Sequence, residues 1–419
     1  MPRDGQPVHE AAEKVARNSY GKLVAFLAAR TRDVTAAEDA LADAFAAALT
    51  DWTANGIPRN PEAWLIAVAR RKAIDAGRRK RSRESSIPEL QMISEELAEA
   101  AHADMPIPDD RLSLMFACAH PAIDPGIRAP LILHTVLGFD AATIASAFLV
   151  SPATMSQRLV RAKNKIRQAG IPFRVPERAD LGERLGAVLD SIYAAFTEGW
   201  CDPGGADVRR RNLAEEAIWL GRMVAALMPG EPEALGLLAL MLYAEARRGA
   251  RRNDRGEYVP LEDQDVLLWD NAMIDEAETL LLRASGKGDT GRYQLEAAVQ
   301  SAHVVRRRSG RSDWSAIERI YDVLAALTGS PVVAINRAIA IAEARGAHEG
   351  LAALDELAGD QRLAEYQPYF AARAGLLAKA GQIDRADQAY EQAIGLESDP
   401  AVRGFLQQRR AELKRSSSH

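Results

Sequence analysis

Two runs of basic residues are the parts of this sequence best suited to binding chemistry. The first lies between residues 70 and 83, where eight Lys and Arg residues stand against the single acid Asp75. The second lies between residues 158 and 167, where five basic residues occur with no acid. Clustered ammonium and guanidinium groups bind phosphate oxygens, so both runs are candidates for nucleic-acid contact. A solvated helix face is the alternative interpretation of each run.

Residue patterns that would indicate catalysis or metal binding do not accompany these runs. Cys118 and His120, in the segment FACAHP, are two ligands without a matching pair, and structural packing is the favoured interpretation. Carboxylates near Trp200 and Trp269 have no nucleophile, base or phosphate-binding loop at a recognisable spacing. We therefore expect no catalytic residue, no metal and no cofactor. A third basic segment, ARRGARRNDRGEY at 246–258, is interpreted as a solvated loop.

Helical patterns position the first basic run. Residues 36–50 place apolar side chains on one helical face and acidic side chains on the other. The apolar face contains Ala37, Leu41, Ala44, Phe45 and Ala48, and the acidic face contains Glu38, Asp39 and Asp43. Asn60 followed by Pro61 predicts the start of a helix over 61–81. In that helix the side chains predicted to reach the core are Trp64, Leu65, Val68 and Ile74.

A pattern typical of a helix-turn-helix positions the second basic run. Asp140 is predicted to cap a short helix whose inward residues are Ile144, Ala145 and Phe148. Ser151 and Pro152 then predict the start of a second helix through residue 170. Its first turns offer short polar groups and an arginine suited to base edges in a major groove. These residues are Thr154, Ser156, Gln157 and Arg158.

Composition limits the class of protein. A chain of 419 residues fits two or three domains, and 47% hydrophobic residues with only 6% aromatics favour an all-α fold. The net charge is −5, but residues 1–172 carry 22 basic against 20 acidic residues, while the remainder carries 31 against 38. Any nucleic-acid surface is therefore expected in the first half. Two distant cysteines, with no signal peptide or long apolar stretch, predict a cytoplasmic protein without a membrane contact.

The segment AEDALADAFAAALTDW, followed by NPEAWLIAVARRKAIDAGRRKR, resembles region two of extracytoplasmic-function sigma factors. TIASAFLVSPATMSQRLVRAKNKIR resembles region four of the same family. The resemblance covers residues 9–170 and implies an alternative sigma factor that directs promoter-specific transcription initiation. Its implied partners are promoter DNA and core RNA polymerase, at the β′ clamp helices and the β flap. The implied domains are region two at 9–83, an acidic linker at 84–110 and a helix-turn-helix region four at 111–172.

The resemblance assigns roles to individual residues. Those implied to contact polymerase are Glu38, Asp39, Asp43 and Phe45. Those implied to face the minus-ten strand are Trp64, Arg70, Arg71, Arg78 and Arg79. Those implied to enter the minus-thirty-five groove are Thr154, Ser156, Gln157, Arg158, Arg161 and Lys163. Two positions depart from the family pattern, since Ala42 replaces a usual glutamine and Arg71 a common asparagine.

Residues 180–415 resemble the tetratricopeptide-like (TPR-like) extension found in one subgroup of these sigma factors. Segments 331–357 and 366–393 align with a 35-residue offset that places Gly346 on Gly381 and Leu351 on Ala386. In the second segment, small or aromatic residues occur where two repeat helices must interlock. They are Ala374, Gly381, Ala386, Tyr390 and Ala393. The extension is expected to regulate or stabilise the sigma modules and to present a surface to a protein partner.

Two other classes of protein stay open from the sequence. A helix-turn-helix repressor would need no polymerase-binding helix, and the element at 36–81 argues against it. A helical-repeat scaffold or enzyme with a DNA-binding end is the second alternative.

Overall fold

The structure is a computed structural model that describes residues 6–80, 110–148, 150–171, 176–200, 208–288, 290–305, 310 and 312–416. Within these ranges the regular elements are helices, apart from one isolated bridge between Arg252 and Tyr258. The all-α prediction is therefore confirmed. The predicted acidic linker lies outside the described residues, except for Asp110. In the described residues, no helix is long and apolar enough to cross a membrane.

The chain divides into two compact units, Met1–Ala195 and Phe196–His419. The helices that begin in the first unit are α1 (Gln6–Thr31), α2 (Val34–Asn55), α3 (Pro61–Lys80), α4 (Arg111–Cys118), α5 (Pro125–Thr135), α6 (Ala141–Ala147), α7 (Pro152–Ala169) and α8 (Arg178–Trp200). The sequence analysis predicted that the extension begins at residue 180. That position lies in α8, whose first part belongs to the first unit and has Leu181, Leu185 and Ile192 buried.

Helices α1, α2 and α3 pack on one another because each buries an apolar face. Ala37, Leu41, Ala44 and Ala48 on α2 have no exposed surface, as the sequence pattern predicted, whereas Phe45 is only half-buried. The Asp33 side chain caps α2 by accepting a hydrogen bond from the Ala36 amide at 3.1 Å. This packing leaves the acidic side of α2 facing outward.

The helices of the second unit are α9 (Val208–Leu227), α10 (Pro232–Glu245), α11 (Asn271–Ser285), α12 (Arg292–Val304), α13 (Trp314–Thr328), α14 (Pro331–Arg345), α15 (Ala347–Asp355), α16 (Gln367–Lys379), α17 (Ile383–Leu396) and α18 (Pro400–Ser416). Short 3-10 helices are Arg248–Arg251, Leu261–Asp263, Val266–Leu268 and Gln361–Leu363.

Helix α10 is the centre of the first half of the second unit. It is apolar on every side, its residues from Ala234 to Tyr243 are all buried, and it packs on α9, α11 and α12. A Cβ atom on Gly236 would lie 2.7 Å from the Gln294 nitrogen, so the backbones of α10 and α12 are in direct contact there. The Glu233 carboxylate accepts hydrogen bonds from the Tyr293 and Gln294 amides at 3.0 and 3.1 Å, which caps α12 from a neighbouring helix.

Helices α14 to α18 form a second core from successive helix pairs. Ala374, Ala386 and Ala393 have no exposed surface, and Tyr390 is buried among them, at the positions selected by the 35-residue offset. Gly346 and Gly381, aligned by the same offset, both have positive φ angles, of 130° and 74°. This left-handed region favours glycine and lets each chain turn sharply between paired helices.

The contact between α14 and α15 generates a stability prediction. A Cβ atom on Gly350 would lie 2.4 Å from the Ala342 Cβ and 2.7 Å from the Ala338 carbonyl oxygen. We expect Gly350→Ala to lower the free energy of unfolding by about 1–3 kcal/mol, because neighbouring backbone must move. Gly375→Ala is the matched control, since nothing lies within 4 Å of its Cβ position. Replacing that helical glycine should stabilise by roughly 0.5–1 kcal/mol.

Thermal and denaturant unfolding of the full chain, followed by circular dichroism, measures both effects. An unchanged or higher stability of Gly350→Ala would contradict the close packing of α14 on α15.

Candidate nucleic-acid interface

Helix α7 separates a buried face from a polar face. Met155, Leu159, Ala162 and Ile166 are buried at helical spacing, while the opposite side is exposed. Five of the six residues predicted to enter a major groove lie on the exposed side, namely Thr154, Ser156, Gln157, Arg158 and Arg161. The Ser151 hydroxyl accepts a hydrogen bond from the Thr154 amide at 3.3 Å and Pro152 begins the helix, as predicted. The structure therefore presents these side chains together on one face.

Helix α6 lies before α7 at the predicted position. The Asp140 carboxylate caps it by accepting hydrogen bonds from the Ala142 and Thr143 amides at 2.9 and 2.8 Å. The Thr143 amide contributes most to holding the pKa of Asp140 below its usual value. Ile144 and Ala145 are buried and Phe148 is half-buried, so the predicted inward residues do pack against neighbouring helices. The connection to α7 closes with a 3.0 Å hydrogen bond from the Val150 amide to the Ala145 carbonyl.

A cleft of about 330 Å³ lies between α7 and the first turn of α5. Its polar lining includes the cations Arg158, Arg161 and Lys165. Asp124, also in the lining, accepts a hydrogen bond from the Gly126 amide at 2.9 Å and so caps α5. Three cations beside a helix N-terminus favour an anion such as a phosphate group. This cleft extends the predicted DNA-facing surface from α7 toward α5.

Lys163 differs from the other predicted DNA-facing residues. Its ammonium group lies 2.5 Å from the carboxylate of Glu38 on α2, and both side chains are more than four-fifths buried. Next to this pair, Arg167 lies 4.0 Å from the Asp33 carboxylate. The structure thus joins a residue predicted to bind DNA to one predicted to bind polymerase.

The remaining acidic side chains predicted to contact polymerase lie free of that pair. Asp39 and Asp43 are exposed on α2, and Phe45 is half-buried. Because Asp39 and Asp43 are four residues apart, they form one outward acidic stripe, and Glu38 lies at the edge of that stripe.

Helix α3 carries the residues predicted to face the minus-ten strand. The Asn60 side chain caps it by accepting a hydrogen bond from the Ala63 amide at 3.1 Å, as predicted. Trp64 is half-buried, with its ring edge-on to the buried Trp52 at a centroid distance of 5.5 Å. Arg70 is half-buried and Arg71 is exposed. The side chains of Ile74, Arg78 and Arg79 lie outside the described part.

Cys118 and His120 pack structurally, as predicted. The Cys118 thiol is fully buried, 3.5 Å from the Thr135 hydroxyl, and burial raises its pKa to about 12. The His120 Nδ1 atom accepts a hydrogen bond from the Ala122 amide at 3.1 Å. Within the described residues, no three His, Cys, Asp or Glu side chains cluster as a metal site requires.

The interpretation of residues 246–258 as a solvated loop is wrong for residues 246–252, which are largely packed, whereas residues 253–257 are exposed as it expected. The Arg251 guanidinium lies 3.7 Å from the Trp200 ring centroid and donates to the Trp200 carbonyl at 2.8 Å. Arg247 is buried, and Arg252 pairs with Asp399 at 2.7 Å. These arginines hold distant parts of the second unit together. The density of arginines in the sequence could not distinguish this structural role from a solvated loop, because the hydrogen-bond acceptors are carbonyls and a carboxylate far along the chain.

Comparisons with known proteins connect this arrangement to a family. Residues 16–83 match the family described as Sigma-70 region 2, which spans most of α1 and all of α2 and α3. Residues 184–285 match a family of unknown function, DUF6596. An uncharacterized protein of Rhizobium meliloti (strain 1021), R00370, is 38% identical over 384 residues, which cover 90% of this chain and 89% of that protein. No solved structure matches the chain. The chain therefore belongs to the same family as the Rhizobium meliloti protein, and its residues 16–83 carry a match to Sigma-70 region 2.

Proposed function

We propose that this protein is an alternative sigma factor of the extracytoplasmic-function type, which binds core RNA polymerase and directs promoter-specific transcription initiation. The Sigma-70 region 2 match at residues 16–83 is the observation that carries the proposal. It coincides with the three-helix bundle of α1 to α3, whose outer surface holds the acidic stripe of α2 and, on α3, the exposed Arg71 and Lys72 at the start of the first basic run. Acidic and basic surfaces on one small bundle suit simultaneous contact with a protein and with DNA.

Helices α6 and α7 support a second DNA contact, which we assign to region four. A capped short helix, a tight connection and a second helix with an exposed polar face are the parts of a helix-turn-helix module. The exposed Gln157 and Arg158 suit base edges, while Arg161 and Lys165 in the cleft suit phosphates. A repressor could use α7 in the same way, but would leave the acidic stripe on α2 without a partner.

We assign to the extension a TPR-like fold that regulates or stabilises the sigma modules. The successive helix pairs of α14 to α17, with glycine turns at residues 346 and 381, support this assignment. Run-off transcription that compares the full chain with a chain ending at Trp200 tests the role. Higher activity of the shorter chain would indicate masking and lower activity would indicate stabilisation, whereas equal activity would exclude both.

The acidic stripe on α2 gives the first functional prediction. Reversing two exposed charges with Asp39→Arg and Asp43→Arg should abolish retention of the protein by immobilised core polymerase. The substitutions should cost little stability, because exposed helix positions tolerate polar changes. The matched control is Asp180→Arg with Glu183→Arg, which changes the charge equally at exposed positions of α8. Undiminished retention of the α2 variant, or equal loss in both variants, would contradict the placement.

The exposed face of α7 gives the second functional prediction. If Arg158 reads a base, Arg158→Ala should reduce discrimination at one promoter position by about 1–3 kcal/mol. If Lys165 contacts phosphate, Lys165→Ala should weaken specific and random duplexes alike and reduce the salt dependence of binding. Fluorescence anisotropy with promoter and scrambled duplexes at several salt concentrations measures both. Equal losses on the two duplexes for Arg158→Ala would remove its base-reading role.

A further inference from the structure

The interface between α2 and α7 uses residues that the proposed function needs elsewhere. Glu38, at the edge of the acidic stripe on α2, and Lys163 on α7 form an ion pair at 2.5 Å. Their side chains are only 15% and 12% exposed, so solvent and salt screen this pair less than a surface pair. Neither group is free for polymerase or DNA while the pair exists.

A close backbone contact supports the same arrangement. Gly21 lies in α1, and a Cβ atom there would lie 1.7 Å from the carbonyl oxygen of Val136, the residue that follows α5. Two residues later, a Cβ atom on Gly138 would lie 3.5 Å from the Tyr20 ring. Burial and the nearby carboxylates of Glu38 and Asp39 raise the pKa of Tyr20 to about 12. The chain between α5 and α6 therefore packs directly on the first helix of the region 2 bundle.

A third contact lies at the start of α4. The Arg30 guanidinium at the end of α1 lies 3.4 Å from the Asp110 carboxylate, and α1 packs on α4. Together, the backbone contact, the buried ion pair and the outer ion pair join α1 and α2 to α4, α5 and α7. An interface that combines steric fit with charge pairing defines one arrangement of the two modules.

We propose that the first unit is a closed, self-inhibited state, in which α7 covers the Glu38 edge of the polymerase-binding stripe until core polymerase separates the two modules. This inference rests on the proposed function. When only a fraction of the molecules is in the binding-competent state, the apparent dissociation constant equals the intrinsic one divided by that fraction. The closed state therefore keeps free protein from engaging polymerase or promoter DNA with full strength.

Opening the contact sterically is the sharpest test. Gly21→Ala places a methyl group against the Val136 carbonyl while adding a better helix former to α1, so the region 2 bundle itself is not weakened. Gly182→Ala in α8 is the matched control, because nothing lies within 4 Å of its Cβ position. Lys163→Gln is a second opening variant that removes the ion pair without a steric change.

A zero-length carbodiimide crosslinker reports the closed state in the full-length protein, because it joins a carboxylate to an amine in direct contact. Mass spectrometry should find the Glu38–Lys163 crosslink in the unaltered chain and in Gly182→Ala, and should find it lost in Gly21→Ala. Core polymerase should bind Gly21→Ala about tenfold more tightly if the closed state holds about nine molecules in ten. Lys163→Gln should shift the affinity in the same direction.

The results of these measurements distinguish a failure of self-inhibition from a failure of the proposed function. Absence of the crosslink in the unaltered chain, or equal measurable affinities of all four proteins for core polymerase, would overturn self-inhibition and leave the proposed function standing. Failure of every variant to bind core polymerase would overturn the proposed function and the inhibition together.

Discussion

Direct contact between helix backbones, permitted by glycine and alanine at the crossing points, is the constraint on which both units depend. Helix–helix separation is set by the side chains at the contact, and the smallest residues allow the closest approach. Gly21 against the Val136 carbonyl in the first unit, and Gly236 against Gln294 in the second, are two such crossings. The alanine-rich, aromatic-poor composition therefore corresponds to tightly stacked helices in both units.

The same close approach brings charged surfaces together. Because α1 packs against α4 and the chain after α5, the inner edge of α7 lies beside α2, and Lys163 faces Glu38. The exposed portions of both helices keep their polar residues outward, including Asp39 and Arg158. Each of α2 and α7 is thus partly covered by the other and still presents a binding face. The packing between them controls how much of that face is available.

Local sequence patterns predicted local structure well in the first unit. Asn60, Asp140 and Ser151 cap helices as their side-chain chemistry indicated, and the alanine face of α2 is buried. The pairing of Lys163 with Glu38 could not be predicted, because 125 positions separate the two residues and each belongs to a motif with another role. Likewise, arginines of residues 246–258 bind groups that no local pattern identifies, such as the Asp399 carboxylate. Long-range contacts of this kind depend on how the helices stack.

Run-off transcription with purified core polymerase most directly tests the claim that this chain is a sigma factor. The template pool would be genomic DNA from the source organism, and the transcript ends would be mapped with and without the full-length protein. The account predicts new transcripts that start at discrete sites sharing minus-ten and minus-thirty-five sequences and that require the protein. Unchanged transcripts, in the presence of protein shown to be folded, would contradict it.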